Sequence, residues 1–159
     1  MPVSKEAFRA ALGRFASGVT VVTTRDGSGR PRGVTVAAFA SLSLVPPRVL
    51  VCLGNASHVH DVIRDAGRYV VNVLAEGGEE ASRRFARPGS EPDSFDGIAW
   101  REGQHGLPVL AEAIAAIECR VTDAFAGGDH TIFVGEVEET TVAEGKPLLY
   151  FRGGYGRLA

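Results

Sequence analysis

The chain has 159 residues, 45% of them hydrophobic and 23% charged, with a formal net charge of −2 and a pI near 6.1. That length and balance predict one soluble globular domain over residues 1–159, and the faint negative charge supplies no field for gathering nucleic acid or an anionic membrane. Cys52 and Cys119 are the only cysteines and form no CxxC pair, so a disulfide framework is excluded and buried thiols in a reducing cytoplasm are expected.

Taken in chain order, Ser4 is placed to cap a helix running to about Phe15, with Phe8, Leu12 and Phe15 on one face. This charged, amphipathic opening lacks a signal-peptide apolar region, and no later run reaches membrane-spanning length. Val19–Thr24 and Val34–Ala38 alternate on either side of the turn Asp26–Gly29 and predict a hairpin. Arg48–Leu53 reads as a third strand. Ser57 is placed to cap a short helix ended by Gly67, and Tyr69–Leu74 follows as a strand. Glu79–Arg87 reads as a helix stopped by Pro88-Gly89, and Gly89–Gly106 as a loop with a short strand near Trp100. From about Ala116 the pattern alternates strictly. Thr131–Val134 predicts a strand buried on both faces, and Leu148–Phe151 a last one. About seven strands and three helices, with hairpins before crossovers, favour an antiparallel barrel.

Twenty glycines imply many tight turns or a backbone that something approaches closely. There is no GxGxxG after a strand, no P-loop and no HExxH, so a bound nucleotide is not held by a Rossmann turn. His58 and His60 in SHVHD diverge by roughly 200° on a helix and cannot share a metal ion there, although on a strand they can. The plain reading puts both at the surface of a helix capped by Ser57; the sharper one has that helix start holding a phosphate. In SRRFAR, Phe85 is a core anchor beside solvated arginines, or Arg84 reaches a ligand phosphate. His130, at the mouth of an apolar strand, is either a satisfied structural histidine or a group aimed at a ligand. No nucleophile sits in a recognisable setting, which leaves binding without reaction or a cofactor that carries the chemistry.

The segments FRAALGRFASGVTVVTT, GVTVAAFASLSLVPPRVLVCL, YVVNVLAE, RRFA, GLPVL, IECRV, GDHTIFVGEV and PLLYFRGGYG occur in that order. Together they resemble the flavin reductase-like family of FMN-binding split barrels, the small reductase components of two-component monooxygenases. The resemblance runs from about Phe8 to Gly156. It implies a mainly β fold with flanking helices, a Greek-key split barrel, and a homodimer with FMN or FAD near its interface. It also implies hydride transfer from NADH or NADPH, and an oxygenase partner that takes the reduced flavin. On these residues it places the flavin against Val34, Thr35, Val36, Ala37, Ala38 and Ser41, and against Cys52, Leu53, Gly54 and Asn55. Ser57 and His58 match the phosphate end, Arg84 and Phe85 the Arg-Phe pair beside the flavin, and Tyr155 an aromatic near the ligand. His130 is the catalytic candidate, beside the nicotinamide; no metal is implied.

One departure is Ala37-Ala38, where relatives of this kind often carry Asn-Ser or Ser-Ser; the lost hydroxyls weaken flavin binding by about 1 kcal/mol per neutral hydrogen bond. The alternative function is a non-catalytic FMN-binding electron carrier on the same barrel, because a fold alone does not separate the two.

Overall fold

The structure, a computed structural model, describes residues 1–88 and 92–159. Gly89, expected to stop the third helix and open a loop, lies outside the described residues. Helix α1 (Lys5–Leu12) is capped as expected, the Ser4 side chain accepting from the Ala7 N–H at 3.1 Å, but it ends at Gly13 rather than Phe15. Strands β1 (Ser17–Gly18), β2 (Thr20–Arg25), β3 (Pro31–Val36), β4 (Phe39–Leu44) and β5 (Pro47–Gly54) follow. Next come α2 (His60–Ala66), β6 (Arg68–Val73) and α3 (Glu79–Phe85), then a 3-10 turn at Pro92–Phe95. The chain closes with β7 (Trp100–Glu102), β8 (Pro108–Leu110), β9 (Ala115–Gly127), β10 (His130–Val142), β11 (Leu149–Phe151) and β12 (Gly154–Gly156). The described residues thus hold twelve strands where about seven were expected, the surplus being mostly pieces of two or three residues.

Seven strands form the main sheet, in the order β3-β2-β6-β9-β10-β5-β4, every pairing antiparallel. Its two edges, β3 and β4, are consecutive in the chain, separated only by Ala37 and Ala38. Laid flat, the edges of seven strands stand about 29 Å apart at ~4.8 Å per spacing, whereas two residues reach only about 7 Å. The tether therefore obliges the sheet to curl until its edges meet. The seam is not zipped by a β3–β4 ladder; the tether is fixed to the sheet on either side, the Cys52 N–H of β5 donating to the Ala38 carbonyl at 2.9 Å and the Thr20 hydroxyl of β2 to the Val36 carbonyl of β3 at 2.5 Å. This mainly β, incompletely closed architecture is the split barrel.

The barrel is filled by Val22, Val51, Leu53, Tyr69, Val71, Cys119 and Phe133, joined by Val59 just before α2 and Ile63 within it. Burying such a side chain contributes about 1.5–3 kcal/mol. Cys119 is sealed in, and burial pushes its thiol up to about 12, so it is inert. A second cluster joins Phe85 of α3 to Val21, Leu74, Phe95 and Leu148. Asn72 interrupts YVVNVL yet is fully buried: its Nδ2 donates to the Val21 carbonyl at 2.9 Å, and its Oδ1 accepts from the Leu110 N–H at 2.9 Å. It thereby fastens the β7–β8 ribbon to the sheet. On β10 the expected two-sided burial holds for Thr131, Phe133 and Val134, while Ile132 is half-buried.

Candidate functional site at the barrel seam

A cleft of about 280 Å³ opens along the seam. Its walls are Val34, Thr35 and Val36 of β3, the tether Ala37-Ala38, Cys52, Leu53 and Gly54 of β5, and Ser57 and His130. Alternation puts Val49, Val51 and Leu53 of β5 toward the core, leaving Cys52 on the opposite face, half-buried rather than the buried thiol expected. A second groove of about 670 Å³ shares Ala37, Ala38 and Cys52 with the cleft. It continues over Phe8, Leu12 and Phe15 of the α1 region to Tyr150, Phe151 and Arg152.

His130 begins β10 directly opposite Gly54 in the β5–β10 register. Its side chain is 49% exposed, so it is not a satisfied core histidine. Nδ1 lies 2.7 Å from Asp129 Oδ1, and the ring N–H beside it holds the Asp129 carboxyl below the usual carboxylate range. A carboxylate only accepts, so Nδ1 carries the hydrogen and Nε2 is left for the cleft. Nε2 stands 3.9 Å from where a Cβ on Gly54 would project. A side chain there would enter the space between the imidazole and β5, which the glycine leaves free.

The remaining candidates fall outside the cleft lining. Ser41 is exposed on β4, past the tether. Asn55 and His58 flank the lining residue Ser57 without joining it; Asn55 instead anchors the loop, donating its backbone N–H to the Asp129 carbonyl at 2.9 Å. Arg84 and Phe85 are not brought to the cleft. Arg84 donates to Glu80 Oε1 at 2.8 Å and to the Asp96 carbonyl, while Phe85 is 0% exposed, its ring packed on Phe95 at 4.9 Å. The core-anchor reading of Phe85 is the one realised. Tyr155 is held on α3, its hydroxyl 2.8 Å from Ser82 Oγ and its ring under the Arg83 guanidinium at 5.0 Å.

Two expectations about SHVHD need correction. Helix α2 starts at His60 with Val59 as its uncapped N-terminal flank, so Ser57 is not its cap; Ser57 Oγ accepts from the Val59 N–H at 3.3 Å in the preceding turn. His60 is not at the surface but 5% exposed and hydrogen-bonded to Thr131, a partner that sequence reading passed over. Among the described residues no group of three or more His, Cys, Asp or Glu side chains is placed to hold a metal. A third cavity, of about 300 Å³, presents Glu76 and Glu80, already paired with Arg157 and Arg84.

The cleft is the polar-and-apolar cavity nearest His130. It is lined by small and β-branched residues, one leucine and one histidine, and it lies next to an apolar groove. No helix among the described residues is long and apolar enough to cross a membrane.

Comparison with known proteins agrees. The family described as "Flavin reductase like domain" matches residues 12–159. The reductase component of 4-nitrophenol 4-monooxygenase/4-nitrocatechol 2-monooxygenase from Rhodococcus opacus is 45% identical over 157 residues, covering 99% of this chain and 83% of that protein. The reductase component of 4-hydroxyphenylacetate 3-monooxygenase from Thermus thermophilus is 46% identical over 156 residues, covering 97% of each. Among solved structures, the Streptomyces globisporus NADH:FAD oxidoreductase in complex with NAD and FAD fragments superposes with a TM-score of 0.91 at 37% identity, covering 100% of this chain and 97% of that one. With the seam, the cleft and a match over nearly its whole length, the chain belongs to the flavin reductase like domain family.

Proposed function

We propose that this chain is the reductase component of a two-component flavin-dependent monooxygenase, passing hydride from NADH, in preference to NADPH, to FAD or FMN. The observation that carries the reading is the seam cleft, bounded by Val34–Ala38 and Cys52–Gly54 and lined also by Ser57 and His130. The Streptomyces relative, solved with NAD and FAD fragments on the same fold, supports both the donor and the acceptor.

Flavin, when bound, supplies the ring that takes the hydride. The chain's own residues bind and orient. The Val34–Ala38 and Cys52–Gly54 segments form two walls, and Gly54 keeps the space before His130 clear. Ser57 stands at one end with a hydroxyl for a phosphate oxygen. Asp129 fixes the His130 ring so that Nε2 faces the cleft, where it orients a carboxamide or meets negative charge on a ring edge. Such transfer demands reacting atoms about 3–3.5 Å apart, so orientation is the protein's main contribution.

A homodimer is part of this proposal. No residue of α1 is buried, and Phe8, Leu12 and Phe15 remain exposed along the groove that adjoins the cleft, which supports a second copy covering them. Sedimentation equilibrium reads this directly. Function is tested by steady-state oxidation of NADH and NADPH against FAD, FMN and riboflavin. Flavin-dependent NADH oxidation is expected; its absence overturns the reading.

A further inference from the structure

We infer that His60 is a positioning residue for the cleft: through Thr131 and Asn55 it fixes the loop on one wall and the turn that presents His130 on the other. This rests on the flavin-and-nicotinamide reading of the cleft. A histidine at 5% exposure on a helix packed against a mainly apolar core requires partners for both ring nitrogens. It has them. Nε2 lies 2.7 Å from Thr131 Oγ1, Nδ1 lies 2.8 Å from Asp61 Oδ1, and the ring sits edge-on to Phe133 at 5.3 Å.

The direction of the chain of hydrogen bonds follows from the donor inventory. Thr131 donates its single O–H to Asn55 Oδ1 at 2.8 Å, so the hydrogen between His60 and Thr131 sits on Nε2; the Asp61 carboxylate only accepts, so Nδ1 donates as well and the ring donates at both nitrogens. Asn55, with its acceptor filled, turns its amide the other way, and Nδ2 donates to the Gly128 carbonyl at 3.4 Å. Its backbone N–H donates to the Asp129 carbonyl at 2.9 Å. One exposed asparagine thus clamps the end of β5 to the turn before β10. Its orientation is dictated from the buried side by His60, two hydrogen bonds away.

The same histidine opens α2, where its N–H donates to the Ser57 carbonyl at 3.1 Å, and the Ser57 N–H donates to the Gly54 carbonyl at 2.9 Å. Both cleft residues of this loop, Gly54 and Ser57, are therefore tied to it. Without the Nε2 donor, Thr131 is free to rotate, Asn55 loses the bond that sets its amide, and the spacing between Gly54 and His130 is no longer held. None of this puts His60 in contact with a ligand.

The experiment uses the full chain and compares Thr131→Val, His60→Phe and His60→Gln with the native protein. Thr131→Val keeps shape and removes the hydroxyl; His60→Phe keeps a ring on Phe133 and removes the donor; His60→Gln keeps an N–H that can reach Thr131. Flavin Kd is read by quenching of flavin fluorescence, kcat at saturating NADH and flavin, and the thermal midpoint alongside. The loss of one buried hydrogen bond predicts that Thr131→Val and His60→Phe each weaken flavin binding about tenfold and lower kcat by a similar factor, with His60→Gln recovering most of both. Unchanged Kd and kcat in Thr131→Val overturn the proposal. So does a His60→Gln protein as impaired as His60→Phe, since packing alone would then explain the effect. A native protein that binds no flavin overturns the cleft reading together with this one, whereas normal native binding with unaffected variants overturns the positioning role alone.

Discussion

The closed wall of the barrel and its open seam both use glycine, with opposite results. On the closed wall, a Cβ on Gly135 would stand 2.5 Å from the Tyr69 hydroxyl and 2.7 Å from Cys119 Cβ; even on the edge strand β3, one on Gly33 would lie 2.9 Å from the Phe85 ring of α3. There the missing side chain lets a neighbour fill the space, and burial pushes the adjacent Tyr69 phenol far up. At the seam, a Cβ on Gly54 would meet only His130 Nε2 within 4 Å, at 3.9 Å, so the missing side chain leaves room that the protein itself does not use. Core glycines serve packing density, and the seam glycine serves vacancy.

The sharpest way to break this contrast is Gly135→Ala. Forcing a methyl against Tyr69 and Cys119 is expected to cost about 2–3 kcal/mol, as overpacking does, and to lower Tm by roughly 5–10 °C for a domain of this size. An unchanged melting curve would dissolve the distinction. His130→Ala, on the seam side, should lower kcat/KM for NADH about 10²-fold, the usual scale for one lost electrostatic contact, with Tm held within about 2 °C because the ring is half exposed.

Gly54→Val comes next: raising the flavin KM about tenfold without unfolding is the signature of a filled vacancy, and equal losses of Tm and binding would contradict it. Ala38→Ser sharpens the comparison from the other side. A hydroxyl restored beside the cleft should tighten flavin binding up to about fivefold, one neutral hydrogen bond's worth, as titration of flavin fluorescence will show. The smallest effect lies in the β2–β3 turn. The Ser28 hydroxyl and the Arg30 and Ser28 backbone N–H groups hold the Asp26 carboxyl at about 2. A depressed acid stabilises the fold above its ordinary value near 3.8 and ceases to do so as pH falls toward 2. Asp26→Asn should flatten the acid limb of the Tm–pH curve over that window and alter little else.

Much of this was legible in the residues, for physical reasons. Strict alternation over Ile117–Thr122 announced β9, because one face of that strand meets the core. Beyond Thr122 the same strand runs exposed to Gly127, with no buried face to impose a pattern. Strand β4 escaped notice for that reason: FASLSL alternates, but Leu42 and Leu44 face outward. The α1 stripe was read correctly as amphipathic, yet nothing among the described residues buries it. The cleft lining was reached through the resemblance, every one of its residues being among those candidates. His60 was misplaced because α2 starts two residues later than expected, and His60 at its first position packs inward on Phe133 and Thr131.

The two-alanine link between β3 and β4 has an evolutionary corollary. Because the aperture's breadth is dictated by covalent connectivity instead of by which side chains happen to line it, drift along the rim can retune affinity while leaving the opening's dimensions intact. Lengthening that link by even a single residue would relax the curl itself, and an insertion there should prove far less tolerable than any substitution beside it.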